Sequence, residues 1–133
     1  MKKILLTLVP LLIILTAKAQ LTDSARISND KVFVSVEHVP EYSGGISQFY
    51  KFLAKNLHYP AAARENNTQG RVIITMVVEK DGSLSQVKVA RGIGDGCDEE
   101  AVRLVKLSAP WKPGVQNGRA VRVQYTLPVT FEL

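Results

Sequence analysis

The sequence predicts an α+β domain, two helices packed on one face of a three-stranded antiparallel sheet. Three observations point there. In residues 119–133 every second residue from Val121 to Leu133 is apolar, with mostly polar residues between them. The stretch Arg71 to Arg91 reads as a hairpin about Asp81-Gly82. Two further segments, one after Gly44-Gly45 and one after Cys97, carry apolar residues at helical spacing. The order helix, hairpin, helix, strand follows.

The first residues stand apart from this domain. Lys2 and Lys3 precede an apolar run from Ile4 to Leu15, and Ala17-Lys18-Ala19 follows as a small-x-small cleavage pattern. That layout is a secretory signal peptide over residues 1–19, cleaved ahead of Gln20. An uncleaved inner-membrane anchor is the alternative, although a spanning helix needs about 20 apolar residues. Without Lys2, Lys3 and Lys18 the 17 basic residues become 14 against 12 acidic, and the formal charge falls from +5 to +2. With no basic stripe interleaved with aromatics, nucleic acid is not an expected partner. Cys97 is the single cysteine, so no intramolecular disulfide can form.

Residues 20–39 read as an N-terminal arm, polar at first, in which Val32 to Glu37 could form a short strand. The domain proper is expected over 40–133. Ile46, Phe49, Tyr50 and Leu53 share a helix face, with Ser43 as N-cap and an end before Pro60. Pro60 begins a short helix, PAAARENN, which the asparagines and then Gly70 terminate. In the first hairpin strand Val72, Ile74, Met76 and Val78 face one way, while Ile73 and Val77 make the other face partly apolar, as suits a central strand. The second long helix, about 98–107, buries Ala101, Leu104 and Val105 and places Asp98, Glu99 and Glu100 in its first turn, where the helix dipole favours acids. The segment PWKPGVQNG is expected to be irregular. The closing strand turns Val121, Val123, Tyr125, Leu127, Val129, Phe131 and Leu133 inward.

The chain's candidate motifs for catalysis and ligand binding fall short of the spacing their chemistry needs. Gly92-Ile93-Gly94-Asp95-Gly96 has the wrong spacing for a dinucleotide loop, and its neighbouring acids would repel a phosphate. The acids there lack the 12-residue distribution of a calcium loop. His38 and His58 have no ligand companions at metal-binding spacing, and no serine lies in a nucleophile elbow. Neither an enzyme nor a metal or other cofactor is expected.

A specific series of residues remains. It runs Tyr59-Pro60, Ala63, Gly70-Arg71-Val72, Asp81-Gly82, Asp98 with Glu100-Ala101, Trp111-Lys112-Pro113-Gly114, Asn117-Gly118, Leu127-Pro128 and Phe131. This series resembles the C-terminal periplasmic domain of the TonB energy-transducer family over residues 40–133. The resemblance implies two helices on a three-stranded sheet, located in the periplasm. It also implies binding to the extended TonB box of TonB-dependent outer-membrane transporters. Coupling to the ExbB–ExbD motor would require an uncleaved N-terminus. Residues 20–31 fully extended reach only about 40 Å, so the binding half of the family's role is expected to transfer more readily than the energy-transducing half. An envelope assembly protein that uses the same fold to bind itself, as a homodimer, or another partner is the alternative reading.

The closing strand suggests how binding would work. Pro128 has no N–H to give a neighbour and therefore belongs on a sheet edge, where it also discourages aggregation. An edge strand can accept an extended peptide as a further strand. If Pro128 faces outward, the even-numbered residues do too, and Arg122, Gln124 and Thr126 present the binding backbone. A bulge between 122 and 128 would reverse that parity. Trp111 has two candidate roles: it closes one end of the core, or it anchors a partner at the surface.

Overall fold

The computed structural model describes residues 31–133; the expected signal peptide and nearly all of the expected polar arm lie outside the described residues. In chain order the elements are β1 (Val32–Phe33), β2 (Glu41–Tyr42), α1 (Ile46–Asn56), α2 (Ala61–Glu65), β3 (Gly70–Val78), β4 (Leu84–Arg91), α3 (Cys97–Leu107), β5 (Trp111–Lys112), β6 (Gly114–Gln116) and β7 (Arg119–Phe131). The main sheet runs β1-β7-β3-β4, with β6 also paired to β7, and β2 pairs with β5 separately. The class is the expected α+β, with the expected trio β7-β3-β4 at its centre.

The additional strands are short. β1 pairs in parallel with β7 only through Val32 and Phe33, opposite Arg122 and Val123. The segment expected to be irregular holds β5 and β6 instead. Trp111 and Lys112 pair with Tyr42 and Glu41, and Gly114 to Gln116 pair with Val121 to Arg119 across the Asn117-Gly118 turn. Gly114 has no room for a side chain, since a Cβ there would lie 2.5 Å from Val123 Cγ2. Proline and glycine thus shape very short strands rather than exclude them.

Local sequence sets the helix limits. Gly45, at φ 88°, occupies the N-cap of α1 without a side-chain cap, so Ser43 does not play the capping role expected of it. Pro60 caps α2 with extended backbone, as the proline at a helix start suggests. β3 turns Val72, Ile74, Met76 and Val78 into the core, and β7 adds Val123, Leu127, Val129 and Phe131. Phe49 and Leu53 of α1, Ala63 of α2, and Ala101, Leu104 and Val105 of α3 cover that face. Cys97 is fully buried at the start of α3, and burial first, then the surrounding acids, pushes its thiol pKa up. Such a thiol is poorly reactive.

One acid of the first turn of α3 joins the helices. Glu100 is 9% exposed and accepts bonds from Arg103 Nε at 2.6 Å and from the His58 backbone N–H at 2.6 Å. Arg103 also donates to the Asn56 carbonyl at 2.9 Å, so the pair ties α3 to the end of α1. Burial alone would raise the Glu100 pKa, but the bonds from Arg103 and His58 together outweigh it and hold the carboxyl below its ordinary 4.5. A lowered folded pKa means stability that is complete above the unfolded value and lost as pH falls through the folded one. Glu100→Ala should therefore cost about 1–3 kcal/mol at neutral pH. The loss should shrink as pH drops below 4.5, which urea denaturation at several pH values would read directly.

Candidate functional site

β7 is 13 residues long, and its partners cover it unevenly. β3 pairs with Val123 through Phe131, in a register that runs without a shift from Val78↔Val123 to Gly70↔Phe131. β6 takes Arg119 to Val121 and β1 takes Arg122 and Val123. From Gln124 to Phe131, no described strand other than β3 pairs with β7. Eight consecutive residues thus have one open side.

The residues singled out from the sequence sit as follows. Arg122 lies beside β1, and its guanidinium is engaged with Glu79, Nε to Oε2 at 2.7 Å and a second nitrogen to Oε1 at 3.0 Å. The Arg122 hydrogen bonds are the largest of the effects that lower the Glu79 pKa. Gln124 and Thr126 are exposed, on the open stretch, opposite Val77 and Thr75 of β3. Pro128 faces Ile73, and the unbroken register leaves no bulge from 123 to 131.

Trp111 is 4% exposed. Its ring packs against Phe49, Tyr42 and Tyr125, with centroids 5.2, 5.9 and 5.6 Å away. Its indole N–H donates to Ser108 Oγ at 2.8 Å, and that buried hydroxyl donates onward to the Val105 carbonyl. Little of the ring is left for a partner to touch.

A groove beside the open edge had no signal in the sequence. Tyr50 and Leu53 of α1, Leu57 just after it, Leu104 of α3, and Val129 and Thr130 of β7 line a space of about 230 Å³. No β3 residue contributes to its lining. Tyr50 is 52% exposed and Ile46 54%, which leaves an apolar stripe of α1 turned outward. Only the juxtaposition of α1 with β7 creates the feature, and neither segment shows it alone.

The glycine loop before α3 holds a protein carboxylate. Asp98 Oδ1 accepts the N–H of Ile93 at 2.8 Å and that of Gly94 at 3.3 Å, and a Cβ on Gly92 would lie 2.2 Å from Asp98 Oδ2. Among the described residues no three His, Cys, Asp or Glu side chains gather to hold a metal ion, and no helix is long and apolar enough to cross a membrane.

Comparison with known proteins gives a consistent answer. The family model described as the C-terminal domain of Gram-negative bacterial TonB protein matches residues 55–133. Two solution structures of the Helicobacter pylori TonB C-terminal domain share the fold, each at 20% identity. One superimposes with a TM-score of 0.51 over 69% of this chain and 88% of that one. The other, of a shorter segment, gives 0.52 over 65% and 90%. No curated protein matches the chain significantly.

Proposed function

The chain belongs to the TonB C-terminal family, and from that premise we propose that it is a periplasmic, non-catalytic peptide-binding module. It takes an extended TonB-box segment of an outer-membrane transporter as a further strand on β7. The observation that carries this reading is the open side of β7 from Gln124 to Phe131.

Three features support it. Pro128 cannot donate, so directing its nitrogen outward costs the β3–β7 ladder no bond. With the register unbroken, the same parity sends the N–H and C=O groups of Gln124 and Thr126 to the open side. Arg122 shares that parity but lies against β1, so a peptide that reaches it must displace Val32. The apolar groove at Tyr50 and Leu53 gives alternate side chains of the added strand a place to bury.

Each backbone bond contributes roughly 0.5–1.5 kcal/mol net. Ordering both partners offsets much of that total, so binding is weak and reversible. Titration of the isotope-labelled protein with a synthetic transporter-plug peptide tests the reading by NMR. Amide shifts should concentrate on Gln124 to Thr130, with smaller ones at Tyr50 and Leu53. Shifts confined to α3 or to the β3–β4 turn would assign the peptide to another surface and refute the site.

A further inference from the structure

A second concavity, at the N-terminal end of β7, collects cations from three segments. Lys31, beside β1, Lys80, between β3 and β4, and Arg119, at the start of β7, line a space of about 420 Å³ together with Gln116 and Asn117. No carboxylate lines it. The acids that flank Lys80 in sequence are already engaged. Glu79 accepts from Arg122 and from Ser85 Oγ, and Asp81 Oδ1 accepts from the backbone N–H and hydroxyl of Ser83. Among the described residues, neither ion pair of the structure uses Lys31, Lys80 or Arg119.

The remaining groups are disposed to donate. The Gln116 side-chain oxygen accepts the Glu37 backbone N–H at 2.9 Å, which leaves its amide hydrogens for the pocket. Lys31 Nζ sits 5.0 Å from the centroid of the Phe33 ring, a contact that steadies the ammonium without using its donors. Like charges held together without a counter-charge favour an anion between them. Three cations and two amides offer more donors than the two oxygens of a carboxylate can accept. A phosphate, with more oxygens and more charge, matches them better.

We propose that this pocket binds a phosphate group, carried either by free phosphate or by a phospholipid headgroup. Because Lys31 adjoins β1, the bound anion also holds β1 against Arg122 and Val123.

The test uses the protein and a double variant that removes two of the three charges, Lys80→Gln with Arg119→Gln. Both residues are exposed, so the variant should melt with the parent. Inorganic phosphate, added at constant ionic strength, should give saturable NMR shifts at Lys31, Phe33, Lys80 and Arg119. Loss of two charge-assisted contacts should weaken the affinity on the order of tenfold or more in the variant. In a second arm the protein is sedimented with anionic phosphatidylglycerol vesicles and with zwitterionic phosphatidylcholine vesicles. Saturable phosphate shifts without sedimentation support a free phosphate ligand, and variant-sensitive sedimentation on the anionic vesicles alone supports a headgroup. The proposal is overturned if neither occurs, or if Lys51, Lys55 and Lys106 respond equally and the double variant changes nothing.

Discussion

Replacing Trp111 with alanine should destabilise the protein by about 3–5 kcal/mol, the range for emptying a large aromatic site in a packed core. The ring is 4% exposed, and Phe49, Tyr42 and Tyr125 all pack against it. Those neighbours come from α1, β2 and β7, so no single element can move to fill the space. The substitution also leaves Ser108 Oγ without its indole donor, although that hydroxyl keeps its bond to Val105. Chemical denaturation measures the loss. A variant that unfolds with the parent's midpoint would show that the ring contributes nothing to the core.

Gly82→Ala should be nearly as damaging, for a different reason. Gly82 has φ +86°, a region an L side chain enters at a cost, and its carbonyl accepts the Trp111 N–H at 2.8 Å. A Cβ there would lie 2.1 Å from the Trp111 carbonyl oxygen. That oxygen is backbone and cannot swing aside, so the β3–β4 turn must lift away from β5. Backbone strain, the displaced contact and the lost hydrogen bond together cost about 3 kcal/mol or more. Gly118→Ala is the matched control, with φ +72° and nothing within 4 Å of the new Cβ. It should cost only about 1 kcal/mol. Equal losses at the two positions would show that contact with Trp111 is not what constrains Gly82.

Much of this architecture is legible in the sequence because the long elements bury one face each. The alternation of β7 foretells the burial of Val123, Leu127, Val129 and Phe131, and Asp81-Gly82 marks the turn that joins β3 to β4. Of the two-residue strands, β1 falls within the Val32 to Glu37 stretch that could form a short strand, whereas β2 and β5 are too short to show a period, and β5 exists because Trp111 packs beside Tyr42, far away in sequence. Ser43 offered a capping side chain, yet Gly44 and Gly45, both at positive φ, carry the chain into α1 by backbone geometry alone. The candidate site divides in the same manner. Its strand and the place of Pro128 in that strand are local and were visible, whereas the groove at Tyr50 and Leu53 and the cluster of Lys31, Lys80 and Arg119 arise only when distant segments meet.

Strand addition at β7 makes a demand on single atoms, and backbone N-methylation tests it most directly. Thr126 is the informative position because it lies within the open stretch, clear of β1 at Arg122 and Val123. A semisynthetic protein methylated on the Thr126 nitrogen should melt near the parent and lose measurable peptide binding by calorimetry. Methylation at Leu127, whose amide on the same parity points to Ile74 of β3, should instead damage the fold. Undiminished peptide binding by the Thr126-methylated protein would contradict strand addition at this edge.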